Sequence, residues 1–403
     1  MQNSLDQKIS LPLALFIVIL LIATLASIAA DIYLPSLPAI ARVFNASESQ
    51  VQFTIFAFML SYSLTHLFYG PWSDRVGRRF ALLTGVGISI IGSAVCAGAI
   101  SIEMLICGRF LQGLGVAACN SVGRSLTRDL LSGSQLAKIG SYLGMIMIFI
   151  IATAPTLGGY IQSSLNWHWV FIFFLGYSIF VWLFTYATLP ETNTFLNPHA
   201  TKISSIIKNY YTVLTNKTFL GYSICVCCAY AGIIAYVTAA PFLFQNTLGL
   251  TPVQFGWLGF VVGGSVFISM FLNSQFVLQH GLEKMVFVGV TCMSSAGVLM
   301  LTFKLLTLLN VWVIVVPVAI FCIGAGFIFA NAAAGAFHPL PKLAGSVGGL
   351  FGCIQISGGA IASALIATFN LNDQSLLAWI FILLGVIAFM SWKFLASREK
   401  IIF

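Results

Sequence analysis

The chain consists of long continuous apolar runs, and most polar residues fall in the intervals between them. Runs of about 20 apolar residues are typical of transmembrane helices, whereas membrane barrels show short segments of alternating character. The pattern therefore predicts an all-α membrane protein with twelve transmembrane helices. The runs lie at residues 11–32, 50–70, 80–101, 104–124, 138–161, 168–189, 219–244, 252–275, 285–303, 310–332, 346–369 and 375–394.

The twelve runs form two groups of six. The long polar interval between them contains three lysines and two prolines and is interpreted as a linker. The loop GPWSDRVGRRF at Gly70–Phe80 and the loop SQFVLQHGLEK at Ser274–Lys284 occupy equivalent places in the two groups and share one glycine. We therefore predict a parallel repeat, as in transporters with a site between two halves. The predicted divisions are an N-terminal half (1–189), a linker (190–217) and a C-terminal half (218–403).

Composition agrees with a membrane protein, since 59% of the residues are hydrophobic and 7% are charged, against about 25% charged in soluble domains. The formal charge of +8 does not indicate nucleic-acid binding, because the basic residues follow a membrane pattern. With the N-terminus in the cytoplasm, fifteen of the eighteen basic residues lie in cytoplasmic segments, and only Arg42 and Lys304 lie outside. This asymmetry predicts that both termini are cytoplasmic.

The N-terminal run and the cysteines have further interpretations. Lys8, the apolar run and the small residues at Ala29 and Ala30 resemble a cleavable signal. We expect the segment to be retained, because the helix count is even only if it stays. All nine cysteines lie in apolar runs, and even the cluster at 225–228 has no nearby histidine. We expect them to pack as small hydrophobes and predict no metal site.

Asp31 is the only ionisable residue in the thirty-residue stretch Leu11–Ile40. A carboxylate at membrane depth is costly, so a functional role is the default interpretation. The alternative is an acid at the membrane interface, with Pro35 and Pro38 ending the helix. Arg109 lies inside the fourth run at a comparable depth and also needs a polar partner or a watery cavity. We predict that the two side chains form a pair or a water-bridged couple that acts as a proton switch; a static ion pair is the alternative.

Several motifs carry a family resemblance. The loop Gly70–Arg79, the segment Gly108–Gly115 and the segment Ala154–Tyr160 each resemble a motif of the major facilitator superfamily. Together with Asp31–Pro38 and Ala344–Gly352, they make the whole chain similar to the Bcr/CflA group of drug:proton antiporters. The resemblance implies the twelve-helix major facilitator fold and two groups of site residues. The loop motif would use Gly70, Asp74, Arg75, Gly77, Arg78 and Arg128, and the antiporter motif would use Pro155, Gly158 and Gly159.

The residues of these motifs also have physical interpretations. Pro155 removes a backbone hydrogen bond and the two glycines allow close helix approach. The resemblance implies a bend that seals the cavity against proton leak; ordinary helix packing is the alternative. We expect Asp74 to latch the cytoplasmic side through Arg75 or the Arg124/Arg128 pair, and we interpret Arg78 and Arg79 as part of a solvated basic cluster.

A substrate cavity between the halves would draw on helices one, four, seven and ten. Aromatic faces and a few amides suit large, apolar, sometimes cationic compounds. No nucleotide-binding loop is present in the sequence, so ATP is not the expected energy source. The resemblance implies the proton gradient as the energy source, and we expect no cofactor. The candidate lining residues are Tyr33, Asn120, Tyr230, Tyr236, Phe327 and Asn331.

The sequence therefore predicts a monomeric transporter of a bacterial inner membrane that exports small amphipathic drugs in exchange for protons. Its partners would be a small-molecule substrate, protons and membrane lipid, without nucleic acid. The nearest alternative is a carrier of a physiological metabolite such as a siderophore, in either direction. A receptor or structural membrane protein would need neither a buried carboxylate nor paired halves. We do not expect an enzyme, because no catalytic constellation is present in the sequence.

Overall fold

The computed structural model describes residues 12–131, 133–369 and 373–396, so Lys8 and the basic residues after Ala396 lie outside the described ranges. The predicted all-α membrane fold with twelve spans is confirmed. The continuous helical segment Pro252–Leu305 contains two of the spans, α8 before Gly281 and α9 after it. The others are α1 (Leu13–Phe44), α2 (Glu48–Val76), α3 (Arg78–Ala97), α4 (Ile102–Leu130), α5 (Gly133–Ser164), α6 (Trp167–Thr188), α7 (Lys217–Thr247), α10 (Val311–Phe337), α11 (Ala344–Thr368) and α12 (Ser375–Ala396).

Polar residues between the apolar runs set the helix starts. Ser47 forms a capping box with Gln50 at the start of α2, and Thr251 forms one with Gln254 at the start of α8. Each box satisfies two backbone N–H groups that the first helical turn leaves free. Asn216 caps α7 in a similar way through its side-chain oxygen. The short polar intervals therefore define where each span begins.

The two loops that resemble each other in sequence also share a backbone conformation. Gly77 between α2 and α3 has φ 100°, and Gly281 between α8 and α9 has φ 78°. Side-chain-bearing residues rarely adopt positive φ, which explains why both loops keep glycine at the reversal.

Helix α1 continues past Pro35 and Pro38. After Asp31 the chain passes through a 3₁₀ turn at Leu34–Ser36 and resumes an α-helix at Leu37–Phe44. Proline is tolerated in the first turn of a helix because the N–H it lacks has no partner there. Asp31 consequently lies inside a 32-residue span rather than beyond its end.

Close glycine contacts hold neighbouring helices together within the N-terminal half. A Cβ on Gly115 of α4 would lie 2.5 Å from the carbonyl oxygen of Gly85 on α3, and one on Gly108 would lie 3.1 Å from that of Gly92. Small residues let membrane helices approach until their backbones touch. The segment Gly108–Gly115 therefore fixes α4 against α3.

The linker lies on the same face of the molecule as the loop Gly70–Arg79, and we call this side the linker face. The linker includes an amphipathic helix, Ile203–Leu214. The hydroxyl of Tyr210 in this helix donates to the carbonyl oxygen of Leu67 on α2 at 2.9 Å. Burial raises the pKa of Tyr210 to about 12, so the phenol stays a neutral donor near pH 7.

Candidate functional site

A cavity of about 370 Å³ lies between the two halves, near the middle of the spans. Its walls are mostly apolar, and α5 and α8 contribute only apolar residues and glycines to it. Asp31 is the one charged side chain among the lining residues. The other polar lining residues are Ser27, Tyr62, Asn120, Tyr230, Tyr236 and Gln355.

Asp31 faces this cavity from α1 and is partly exposed within it. Among the described residues, its carboxyl group has no hydrogen-bond or salt-bridge partner. On the neighbouring wall, the side-chain nitrogen of Asn120 donates to the hydroxyl of Tyr62 at 2.6 Å. The carboxyl group is therefore the strongest polar feature available to a molecule in the cavity.

Among the described residues, Arg109 and Asp31 form no direct ion pair, and the water-bridged couple stays a prediction. The Nη1 of Arg109 donates to the backbone carbonyl oxygen of Ala29 at 2.8 Å and to the side-chain oxygen of Gln112 at 2.7 Å. The guanidinium carbon lies 4.1 Å from the ring centres of both Tyr33 and Phe58. Two aromatic faces and two hydrogen bonds make the buried cation tolerable, and Arg109 fastens α4 to the backbone of α1.

Three of the predicted lining residues lie on the cavity and three do not. Asn120, Tyr230 and Tyr236 line it, whereas Tyr33, Phe327 and Asn331 do not. With 3.6 residues per turn, two side chains that are two residues apart on a helix differ in direction by about 200°. A residue two positions away from a lining residue therefore points away from the cavity.

Each of the three residues that do not line the cavity has another role in packing. The Tyr33 ring covers Arg109 and its hydroxyl lies 3.2 Å from the Thr54 hydroxyl. Phe327 packs against α9, while Phe329 on the same helix lines the cavity. The Asn331 side chain donates to Asn273 on α8 at 2.6 Å and is buried within the C-terminal half.

A second cavity, of about 830 Å³, lies on the linker face. His66 and Arg124 line it, one helical turn from the Tyr62 and Asn120 that line the central cavity. Arg124 Nη2 lies 3.4 Å from Nε2 of His66, whose ring packs over Gly352 of α11. Space is therefore present between the halves on the linker face.

On the face opposite the linker, the segment Pro155–Gly159 of α5 closes the space between the halves. A Cβ on Gly158 would overlap the carbonyl oxygen of Ile32 on α1, and one on Gly159 would lie 2.5 Å from the carbonyl oxygen of Pro252 on α8. The Thr156 hydroxyl donates to the carbonyl oxygen of Gly256 at 3.0 Å. Here α5 packs backbone to backbone against both neighbours, so the structure is closed on this face and open on the linker face.

Four side-chain hydrogen bonds also cross between the halves on the closed face. The donors are three side-chain amides and one hydroxyl, so none of these four bonds is an ion pair. They join Ser49 to Ala367 O (2.5 Å), Gln52 to Thr238 O (3.3 Å), Gln245 to Pro35 O (3.0 Å) and Asn246 to Glu48 Oε1 (2.8 Å).

The loop motif is organised around Arg78, which was wrongly interpreted as a solvated residue. Arg78 is 8% exposed and pairs with Asp74 at 2.5 Å and with Asp129 at 2.9 Å. Arg75, the predicted partner of Asp74, donates to the hydroxyl of Thr201 in the linker at 2.8 Å. Asp74 is therefore part of a triad that joins α2, α3 and α4. Gly70 and Arg128 line the linker-face cavity near it.

Glu191 in the linker contacts the loop motif, and this contact was not predicted from the sequence. Its carboxylate accepts hydrogen bonds from the backbone N–H groups of Arg78 (2.9 Å) and Arg79 (3.2 Å) at the start of α3. An anion is favourable there because the first N–H groups of a helix lack intrahelical partners. A Cβ on Gly77 would overlap this carboxylate. The linker is thus fastened to the loop motif through the N-terminus of α3.

Replacing Gly77 by alanine is expected to lower thermal stability strongly, because it combines positive-φ strain with overlap on Glu191. Backbone strain of this kind costs about 1–3 kcal/mol. In a Glu191→Ala background the overlap disappears, so the same substitution should lower the melting temperature less. Thermal unfolding of the four purified proteins tests this, with Gly264→Ala as the control because a Cβ there meets no atom within 4 Å. Equal losses in both backgrounds would contradict the contact.

Comparisons with known proteins agree with one another. Residues 19–364 match the family model described as Major Facilitator Superfamily. Multidrug resistance protein D of Escherichia coli (strain K12) is 30% identical over 384 residues, which cover 95% of this chain and 96% of the relative. Bicyclomycin resistance protein homolog of Haemophilus influenzae is 29% identical over 369 residues, covering 92% of each.

Solved structures share the fold. The xylose transporter XylE from E. coli, described as a partially occluded inward open conformation, superposes with a TM-score of 0.74 at 15% identity. The match covers 96% of this chain and 99% of that one. A D-xylose-proton symporter gives a TM-score of 0.72 at 17% identity, with the same coverage of both chains.

Proposed function

This chain belongs to the major facilitator superfamily, within the Bcr/CflA group, and we propose that it exports small amphipathic drugs or related compounds in exchange for protons. Membership makes it a membrane transporter rather than an enzyme. The names of its relatives, multidrug resistance protein D and bicyclomycin resistance protein homolog, support drugs as the substrate class.

The single observation that carries the proposal is the Asp31 carboxyl group, which has no hydrogen-bond or salt-bridge partner among the described residues. It lies in a cavity between the halves whose other lining residues are uncharged. A charged carboxylate is costly to enclose in an apolar cavity, whereas a neutral one is not. The empty cavity can therefore close around Asp31 when the group carries a proton. With substrate bound, the contacts to the substrate replace the proton. Substrate and proton thus alternate on one group, which is the requirement for exchange.

The difference between the two faces of the molecule supports alternating access. We assign the structure to the state that receives substrate from the linker face. By the distribution of basic residues this face is cytoplasmic, and we place the protein in a bacterial inner membrane with both termini inside. In the opposite state the seal formed by α5 would open and the cavity would release substrate and accept a proton. The proton gradient supplies the energy, and the proposed transport unit is the monomer.

The cavity also favours a class of cargo. Its apolar walls and the rings of Tyr62, Tyr230 and Tyr236 suit a compound with a large apolar surface. The guanidinium of Arg109 is buried behind α1 and already bonded, so it offers no binding site for an anion. Neutral and cationic amphipathic compounds are therefore the proposed substrates.

Accumulation of a fluorescent lipophilic cation in cells that lack other efflux pumps tests the proposal. Cells that express the protein should accumulate less dye than empty-vector cells, and an uncoupler should remove the difference. Equal accumulation with a panel of neutral and cationic compounds would contradict drug export. A difference that survives the uncoupler would contradict proton coupling.

A further inference from the structure

Helix α1 changes its winding immediately after Asp31. The α-helix ends at Asp31, and a 3₁₀ turn at Leu34–Ser36 precedes the second α-helical segment. Within the described residues, no backbone N–H bonds the carbonyl oxygen of Ala29, and Pro38 has no N–H to offer to the carbonyl groups before it. The turn around Asp31 therefore depends on contacts from other helices.

Three carbonyl oxygens of this turn, spaced three residues apart, are contacted by three other helices. Arg109 of α4 donates to Ala29 at 2.8 Å. The backbone of Gly158 on α5 packs against the carbonyl group of Ile32, leaving no space for a Cβ. Gln245 of α7 donates its Nε2–H to Pro35 at 3.0 Å. The first two contacts lie within the N-terminal half, whereas the third crosses to the C-terminal half and has to break when the closed face opens.

Gln245 owes its position to an irregularity in α7. The residues Leu243–Thr247 form a π-turn at the end of the helix. Such turns are uncommon and occur frequently at functional sites. The next residue, Asn246, donates to Glu48 at 2.8 Å. Two adjacent amides thus cross to the other half, but only Gln245 contacts the helix that carries Asp31.

We propose that Gln245 is a positioning residue that links the proton site to the opening of the closed face. When Asp31 is charged, its carboxylate stays in the cavity that opens toward the linker face, and the Pro35 carbonyl oxygen keeps its hydrogen bond from Gln245. With Asp31 neutral, the carboxyl group can leave water, the irregular turn rotates, and the bond from Gln245 breaks. The inference rests on the proposed function of Asp31.

Few other titratable groups lie near Asp31 and Gln245 in the described part of the chain. The cavity presents the phenols of Tyr62, Tyr230 and Tyr236, while α5 and α8 present no titratable side chain to it. Arg109 contacts α1 from the side of α4. The described titratable groups on the closed face include Arg42, Glu48 and the Lys304–Asp373 pair. Of these, Glu48 contacts one of the two crossing amides, and that amide is Asn246 rather than Gln245.

The test measures how fast the cavity becomes reachable from the closed face. Val237 lines the cavity from α7, so a Val237→Cys probe is labelled in right-side-out vesicles by a membrane-impermeant maleimide. Labelling of the same protein without the probe is subtracted, because the native chain contains nine cysteines. Because only the thiolate reacts with maleimide, each rate is divided by the rate of the same Val237→Cys protein after unfolding at the same pH. Opening requires a neutral Asp31, so this normalised labelling should be faster at pH 6 than at pH 8.

Gln245→Met, which keeps the length of the side chain and removes the donor, should abolish this pH difference. Loss of one ordinary hydrogen bond corresponds to about a fivefold rise in labelling at pH 8. Gln245→Leu also lacks the donor, adds no titratable group and should behave in the same way. Asn246→Leu is the matched control: it also weakens the closed face and raises labelling, but it should keep the ratio between the two pH values.

Each outcome separates the inference from the function on which it rests. If both Gln245 variants keep the wild-type ratio, the inference is wrong. If Asn246→Leu abolishes the ratio as well, any weakening of the closed face has this effect and Gln245 has no special role. If Asp31→Asn keeps the ratio, Asp31 is not the proton site and the proposed function itself fails.

Discussion

Asp31→Asn is expected to abolish proton-coupled export while leaving the protein folded in the membrane. The amide has nearly the same shape but cannot gain or lose a proton in the physiological range, so exchange loses its driving step. Drug-dependent dissipation of an imposed proton gradient in inside-out vesicles should fall to the level of vesicles without the protein. The folded state should persist because the Asp31 side chain has no hydrogen-bond or salt-bridge partner among the described residues.

The matched control for this substitution is Asp373→Asn. Asp373 lies on the closed face, outside the spans, and pairs with Lys304. Partial burial acts to raise its pKa, but the hydrogen bonds from Lys304 and Ser375 outweigh this and hold the pKa below its ordinary value. It therefore stays ionised at neutral pH, and its partly exposed ion pair contributes about 1 kcal/mol at most. Transport by Asp373→Asn should be normal. Export by Asp31→Asn that still follows the proton gradient would contradict the assignment.

Gly158→Ala is expected to break the seal of the closed face. The added Cβ would overlap the backbone carbonyl of Ile32, and backbone atoms cannot move aside as a flexible side chain can. Overpacking of this kind costs about 1–3 kcal/mol and forces α5 away from α1 and α8. The expected result is loss of export together with proton leak in the absence of drug, measured as faster decay of an imposed pH gradient in proteoliposomes.

Gly176→Ala is the control for the leak experiment, because a Cβ at Gly176 of α6 meets no atom within 4 Å. That variant should be tight and active. A Gly158→Ala protein that transports normally and holds the gradient would show that close backbone contact at this position is not required.

Much of the fold could be predicted because spans in a membrane are defined by length and hydrophobicity alone. The twelve predicted runs correspond to the twelve spans of the described residues, two of which lie in the segment divided at Gly281. The first predicted run ended at residue 32, but α1 extends to Phe44, and local backbone geometry is the cause. The prolines after Asp31 allowed α1 to continue through a 3₁₀ turn, and the composition of the segment did not distinguish that outcome from a helix end.

The rotation of each helix about its axis was harder to predict. Spans that are apolar on all sides carry little periodic signal for which face is buried. Asp31 and Asn120 could be placed because polar groups at membrane depth face protein or water. Phe327 and Phe329 are chemically identical, so nothing in the sequence favoured the one that lines the cavity.

Contacts between side chains and distant backbone were not predictable at all. Gln245 bonds a carbonyl group 210 residues away, and Glu191 caps a helix 113 residues before it in the chain. Neither residue forms part of a recognisable spacing pattern. Tyr62 and His66 are polar residues inside an apolar span. Their positions in the sequence indicated which face of the helix is turned toward the protein interior, but not which residues they contact.

Proton release on drug binding tests the central claim most directly. The purified protein is placed in weakly buffered detergent solution with a pH indicator, and a transported cationic or neutral drug is added. The account predicts release of protons by the wild-type protein, and by Asp373→Asn to the same extent, with none from Asp31→Asn. Equal release by the Asp31→Asn protein would contradict exchange of drug and proton on this carboxyl group.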